Sequence, residues 1–563
     1  MKIKQALTIF VAAAMAVSAS ACSTSTSSSS TASSSTNSST ESTAGSSSAA
    51  SSDAITDEGA SNPMPICTDG SITLSIACPD NYYSAAPTTD ELPVWAWVKE
   101  HTGISIDWQV VPNSEFGTTI QTRMASGIDL PDILSSSSID TTIYGEDGML
   151  VEMSDLIARF GENFNSVLAE KPNLLPLMKT PDGKVYHLST TRDEELYAGA
   201  IGFQIRKDWL DRLGLEEPKT VDDWYTVLKA FKEQDANGNG DPNDEIPMSA
   251  ESSVTNIYRW GNAWGLRLWQ SDGFSIDENG KVQYDFLKPE AKEVNEFVAK
   301  LYAEGLMDPE AITNTADDLT SKAINNQLGS SLYWQELCPT WNKALKATGD
   351  ETAQWVQVRT PEGPNGYPGH IEMLGYASGK WSISKDCENP EAAFKWLDYN
   401  LYNYDCVVTR TIGVEGQTYN IVDGKYVMTD FVTNNPDGLG YVEAIRSTGG
   451  WSPVSVTNYA ELIQLFKLAD DQEIARAQAV ADQIIPKTEF AISSLEEAEE
   501  LNLLYTDITT YRDEMMTKFF LGTESLDNWD TFTQTLMDMG IEDVLAIKQQ
   551  QYDRLLSFGY TQY

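Results

Sequence analysis

Between residues 70 and 138 the chain alternates short apolar runs with helical stretches that stop on glycine. SITLSIA at 71–77 alternates as a strand. Residues 90–102 read as a helix ended by Gly103, 104–111 as a second strand, and 115–126 as a helix stopped by Gly127. LPDIL at 130–134 is a short buried strand that leads into the serines at 135–138. Strands joined by helices predict a parallel sheet, so the fold class expected is α/β. Ligands in such sheets sit beyond the carboxyl ends of the strands. Asp80, Tyr82 and Tyr83 follow the first strand and Ser136 and Ser137 the third, so these residues are placed to face a crevice.

A second strand–helix unit begins with AIGFQIRK at 200–207, continues as a helix over 208–213 and stops at Gly214. PKTVDD at 218–223 opens another helix, with Thr220 as its cap and acids in its first turn. Further helices are expected over 289–304, 317–326 and 390–402, and a strand over 379–384. The tail is helical in period over 494–520 and 527–555.

The helix that starts at Thr220 runs into DANGNGDPNDEIP at 235–247. Asp235, Asn237, Asn239, Gly240 and Asp241 occupy positions 1, 3, 5, 6 and 7 of an EF-hand loop, where side-chain and carbonyl oxygens surround a calcium ion. Position 12 is Ile246 rather than Glu; the acids on hand are Asp244 and Glu245. Pro247 follows, so no second EF helix starts in register. The expected site is helix–loop–strand, with Asp235, Asn237, Asn239, Asp241, Asp244 and Glu245 holding a structural Ca2+ and not a switching one.

The amino terminus adds an address. Lys2 and Lys4 precede an apolar run over 6–19, too short to span a bilayer as a mature anchor. The small residues before Cys22 resemble a bacterial lipobox, with Ala19 where Leu is usual. The reading is a signal peptide over 1–21, lipidation of Cys22, and a disordered Ser/Thr-rich tether over 22–69. As a flexible coil, the roughly 38 residues of low complexity span about 35 Å. With 38 basic against 83 acidic residues, the net charge is −45. Such a chain repels phosphate backbones, which excludes nucleic acid as a partner. Five cysteines remain after Cys22, an odd number with no metal spacing. They read as small buried hydrophobes, and a Cys67–Cys78 bridge stays open.

IRKDWLDRLGL at 205–215, PKT at 218–220, LKAFK at 228–232 and the calcium loop, taken together, resemble the lipid-anchored extracellular solute-binding proteins of carbohydrate ABC importers. The match is to the calcium-loop subgroup related to alginate-oligosaccharide binders. ASGIDLPDI at 125–133, DGML at 147–150, DGKVY at 182–186, NPEAA at 389–393, GVEG at 413–416 and WD at 529–530 continue it over 70–563. The order of elements is also similar to that of maltose-binding protein. The resemblance implies a type II periplasmic-binding-protein-like fold of mixed sheets flanked by helices. Lobe one would be 70–195 plus 375–450, and lobe two 196–374 plus 451–563, joined by hinge crossings. It implies a crevice lined by Asp80, Tyr82, Tyr83, Ser136, Ser137 and Tyr144 from lobe one. Glu251, Trp260, Trp264, Trp334 and Glu336 would come from lobe two, with Trp451 near the last crossing. Sugar C–H faces stack on aromatic rings, so Trp260, Trp264 and Trp269 could form a platform or simply fill core. Trp334 is the strongest single candidate.

An extracellular hydrolase or lyase is the rival class, and a sensor or peptide binder with the same jaw is another. Only three histidines occur, with no HExxH, GxSxG elbow or P-loop. The expectation is therefore a monomeric, non-enzymatic lipoprotein on the outer face of the cytoplasmic membrane. Its partners would be an oligosaccharide and ABC permease subunits.

Overall fold

The helix Pro93–Thr102 stops where the sequence demands. Gly103 takes φ 69°, and a Cβ there would lie 1.8 Å from the Cys67 carbonyl oxygen, so only glycine lets the chain turn back into its next strand. The computed structural model describes residues 59–80, 88–191, 201–251, 253–334, 337–373, 375–451, 475–476 and 478–561. The expected signal peptide, Cys22, the tether up to residue 58, Tyr82, Tyr83 and Glu336 lie outside them.

Two main sheets organise the described chain. The first has the order Ser105–Val111, Thr73–Pro79, Ile133–Ser135, Ala377–Ile383, Leu188–Thr191. Its first three strands are parallel, as the helical crossovers require. Ala377–Ile383 returns from far along the chain and pairs antiparallel on both sides, which makes the sheet mixed. The second sheet has Ile201–Arg206 at its centre, antiparallel to Ser330–Trp334 and to Trp355–Val358. A two-stranded parallel ribbon, Ile371–Glu372 with Ile484–Ile485, lies on the path between the sheets.

Each sheet has its own core. Leu74, Ile76, Trp95, Ile133, Leu188, Trp381 and Trp396 pack around the first. Phe203, Trp209, Trp224 and Trp260 pack around the second, together with Ile508, Phe519, Trp529 and Phe532 from the tail helices Leu495–Phe520 and Trp529–Asp538. The expected helix over 527–555 is two, because Gly540 at φ 95° separates Trp529–Asp538 from Ile541–Ser557. Trp260 sits edge-on to Phe203 at 4.8 Å and to Trp224 at 5.8 Å. Such aromatic pairs add about 0.5–1.5 kcal/mol each beyond the area they bury.

The ordered body begins earlier than residue 70. The Asn62 side-chain amide donates to Asp398 (3.0 Å), its backbone amide donates to Glu162 (2.7 Å), and Cys67 is buried. The segment 59–69 is therefore seated on the first core instead of belonging to the tether. All five cysteines among the described residues are free and buried, so Cys67 and Cys78 form no bridge. No helix of the described residues is long and apolar enough to cross a membrane.

Candidate functional site

A cavity of about 650 Å³ opens beside the carboxyl end of Ile133–Ser135. One wall is residues 137–141 and Lys380; the others are 270–274, 487–493 and the tail residues Ala498, Tyr505, Lys548 and Gln551. Ser136 and Ser137 divide the work of shaping it. Ser136 is buried, with its Oγ 2.8 Å from Ser382 Oγ and its amide donating to the Lys380 carbonyl. Ser137 is exposed to the cavity, and its Oγ accepts from the Lys380 amide at 3.1 Å. Asp140 accepts from the amides of Thr142 (2.8 Å) and Ile143 (3.2 Å), which caps the short helix Thr141–Glu146.

The opposite wall is held by a charged network. Glu372 on the ribbon accepts from Ser271 Oγ (2.5 Å) and from the Gln270 amide (3.2 Å). Asp272, at φ 51°, accepts from Tyr505 Oη and from Arg512 Nη1, both at 2.6 Å. Burial raises the Tyr505 hydroxyl well above its ordinary range. Lys548 lies 4.8 Å from the centre of the Phe490 ring and 5.6 Å from that of Phe274. Burial pulls its ammonium down to about 8, with Asp272 and Glu497 opposing. Lys380 is lowered by burial as well, against the pull of Asp140. Behind the first wall, beside Thr141, burial and then Lys380 hold His187 well below the usual imidazole range, so it is neutral. The arrangement offers fixed cations, aromatic faces and hydroxyls to a polar guest.

The residues expected from the sequence scatter around this frame. Asp80 accepts from the Asn113 amide at 2.6 Å and so steadies the start of the helix Asn113–Ser126. Tyr144 is half-buried against the Phe116 and Ile120 cluster. The Glu251 carbonyl accepts from the Asn256 side chain at 2.7 Å. Trp334 is half-buried at the end of its strand, beside the Tyr333 and Trp341 cluster. Trp451, at φ 46°, donates its amide to the Arg410 carbonyl and packs near Val432 and Ile445. The platform reading fails for Trp260 and Trp264, which are 0% and 5% exposed. Trp260 is enclosed by Phe203, Trp224 and Phe297, and Trp264 packs on Phe297 while its indole donates to Glu293 at 3.0 Å. Trp269 instead carries the Arg259 guanidinium 3.9 Å above its ring. Lys380, Asp272, Phe490, Tyr505 and Lys548 escaped the sequence reading. Only the seven-residue spacing of Tyr505 and Arg512 on one helix face hints at a joint role.

The loop over 235–245 is tied together by its own side-chain oxygens. Asn237 Oδ1 accepts from the Asn239 amide, Asn239 Oδ1 from the Asp241 amide, and one Asp235 oxygen from the Gly240 amide. Asp244 accepts from the side-chain amides of Asn237 (3.0 Å) and Asn239 (2.7 Å). Gly238 at φ 75° makes the turn, with the Arg212 guanidinium donating to the adjacent Ala236 carbonyl. Asp235 Oδ1 and Glu245 Oε2 are buried with no hydrogen-bond partner. Burial raises the Glu245 carboxyl, and Asp244 adds like-charge repulsion. Two buried carboxylate oxygens left without partners, in a loop of Asn and Asp side chains, are hard donors of the kind that calcium takes. Among the described residues, however, no group of three or more His, Cys, Asp or Glu side chains is gathered to hold a metal ion. The loop's exit joins the second sheet, because Ile246 bridges to Leu328 and Ser249 to Ser331.

Residues 84–401 match the bacterial extracellular solute-binding proteins. The chain belongs to that family. It is 26% identical over 477 residues to the fructooligosaccharide ABC transporter substrate-binding protein FusA of Streptococcus pneumoniae, covering 81% of this chain and 86% of that one. It is 27% identical over 378 residues to lipoprotein LipO of Bacillus subtilis, covering 64% and 70%. A crystal structure of the alginate-binding protein AlgQ2 without calcium ion superposes with a TM-score of 0.69 at 25% identity, over 86% of this chain and 99% of that one. The two-lobed α/β fold expected from the sequence is the fold of this solute-binding protein, and the relatives are named as binding proteins or as a lipoprotein.

Proposed function

We propose that this solute-binding protein captures an oligosaccharide outside the cell and delivers it to the membrane subunits of an ABC importer. The observation that carries the reading is the cavity at the carboxyl end of the parallel strands, walled by residues 137–141 and Lys380 on one side and by 487–493 and the tail helices on the other, and lined by aromatic rings, hydroxyls and charges. FusA and AlgQ2, named for fructooligosaccharide and alginate, support a saccharide as the guest. The lobes proposed are 70–195 plus 375–450 and 196–374 plus 451–563. The two separate cores support them. A ligand that touches both walls favours the closed arrangement by its differential affinity for it, and no bond of the ligand is broken. Ser137, which lines the cavity, is proposed as a contact; Trp334 and Trp451, which do not line it, and Tyr82, Tyr83 and Glu336, which lie outside the described residues, are proposed as further contacts.

Calcium is proposed as a fixed staple of the second lobe. Asp235, Asn237, Asn239, Asp241, Asp244 and Glu245 would hold it, and it would supply charge compensation for the acids. Cleavage before Cys22 and acylation of that residue would leave a monomer tethered to the outer face of the membrane. The test is titration calorimetry of the mature chain over a panel of oligosaccharides, with chromatography of the recovered ligand. Binding with intact ligand is expected; no binding across the panel, or new products, overturns the reading.

A further inference from the structure

We infer that Lys548 is a carbonyl-capturing amine: an aldehyde that enters the cavity forms an imine on its Nζ. Such a covalent site is independent of which guest the protein carries. Lys548 reaches the cavity from the helix Ile541–Ser557 and is half-buried, so its amine is shielded from bulk water yet lines an open space. Its Nζ lies 4.8 Å from the centre of the Phe490 ring and 5.6 Å from that of the buried Phe274. Among the described residues its one hydrogen bond goes to Gln551 Oε1 (3.2 Å), and it makes no ion pair. Lysines elsewhere are matched by carboxylates. Lys288 holds Asp285 at 2.6 Å, and Lys322 holds Asp308 at 2.8 Å and Glu310 at 2.7 Å.

Two rings and one amide oxygen replace little of the water that an ammonium gives up on burial. A lysine desolvated against apolar walls is the usual form of an imine-forming amine. Burial brings this one down to about 8, with Lys487 adding to the fall and Asp272 and Glu497 opposing it. At pH 7.4 roughly a fifth of such a group is free base, against about one part in a thousand for an ordinary lysine. The free base attacks the carbonyl carbon, and the C–N bond forms as the C=O π pair moves to oxygen. A proton passes from nitrogen to that oxygen, and the carbinolamine loses water to give the imine. No oxidant or reductant is consumed, and water reverses the step. An aldose whose open-chain end reaches Nζ meets the same chemistry, whereas a sugar with no free reducing end does not. Lys380, on the opposite wall and also lowered by burial, is the rival amine.

The test treats the mature chain with glycolaldehyde at pH 7.4 in the presence of cyanoborohydride, which reduces an imine to a stable secondary amine. Peptide mapping by mass spectrometry then gives the rate at each lysine and at the amino terminus. Lys548 is expected to react about 10-fold or more faster than the exposed Lys425, which is what remains of its free-base advantage once a weaker base is also a weaker nucleophile. Competitive acetylation with trace acetic anhydride gives a second readout. The rate at Lys548 should level off above a pH of about 8, while that at Lys425 still climbs. Lys548→Met, checked by its melting curve, should lose the fast label and leave the others unchanged, and unfolding in urea should bring Lys548 level with Lys425. Equal rates at Lys548 and Lys425 in the folded chain overturn the inference, as does a fast label that falls on Lys380 instead or one that persists after unfolding. Such a failure leaves saccharide capture standing, because calorimetry tests that reading separately.

Discussion

A cation held by the loop over 235–245, as proposed, should stabilise the fold by an amount the structure allows one to work out. Asp235 Oδ1 and Glu245 Oε2 are buried acceptors without partners. Each such group costs about 1–3 kcal/mol when left unsatisfied, so an ion that takes both contributes about 2–6 kcal/mol. At about 2–4 °C per kcal/mol, the scale for domains of about 150–250 residues, the shift is about 4–24 °C, and towards the lower end for a larger lobe. Linkage requires the same quantity to grow with calcium concentration, reaching about 2.7 kcal/mol at 100 times the dissociation constant. The assay is differential scanning fluorimetry of the mature chain in chelator, in calcium and in magnesium, whose strict octahedral demand suits this loop poorly. Glu245→Gln removes one charge from the crowd around Asp244, so it should hold or raise the chelated melting temperature while shrinking the calcium response. A melting curve identical in chelator and in excess calcium would refute the cation reading. A full calcium response in Glu245→Gln would refute the part assigned to that side chain.

Other expectations follow from single residues. Trp334→Ala should weaken ligand by about 1–3 kcal/mol in calorimetry, and unchanged affinity removes that ring from the site. Trp260→Ala should destabilise by about 3–5 kcal/mol in denaturant titration, as a core residue and not a sugar platform; a loss below 1 kcal/mol contradicts the packing seen around it. Asp398→Ala strips the acceptor shared by Asn62, Asn163 and Phe164, and should cost about 3 kcal/mol while freeing residues 59–67 to proteolysis. Lys548 sits at about 8 in the fold against 10.5 ordinarily, facing Asp272, Glu497 and Lys487. The unfolded chain then binds the extra proton between those values, so stability should rise with pH across that window, by up to about 3 kcal/mol. Urea titrations from pH 7 to pH 10.5 should show the rise in the parent and lose it in Lys548→Met; an equal rise in both contradicts the assignment.

Local chemistry was legible in the sequence wherever it decided the outcome. Thr220 does cap the helix Val221–Glu233, in a capping box with Asp223, and Gly103 and Gly214 do end helices with left-handed backbones. The turn geometry of the 235–245 loop was legible for the same reason, since Asn, Asp and Gly at alternate positions have few ways to fold. What could not be read was long-range. Lys380 and Lys548 reach one cavity from a sheet strand and from a tail helix, and no periodicity joins residues so far apart. Trp260 and Trp264 looked equally apt for core or for a platform, and only the packing of Phe203, Trp224 and Phe297 decides between them. The Ser/Thr-rich run before it hid the docking of residues 59–69, in which Met64, Ile66 and Cys67 pack on the first core while Asn62 donates to the buried Asp398 carboxylate.

The account turns on two walls that close around a guest and release it unaltered. Small-angle X-ray scattering on the mature chain, titrated with the tightest oligosaccharide that calorimetry finds, tests this most directly. The radius of gyration should fall saturably, with the same midpoint as the heat of binding, and the sugar should be recovered intact. A scattering profile that stays constant through saturation, or a sugar recovered as fragments, would contradict it.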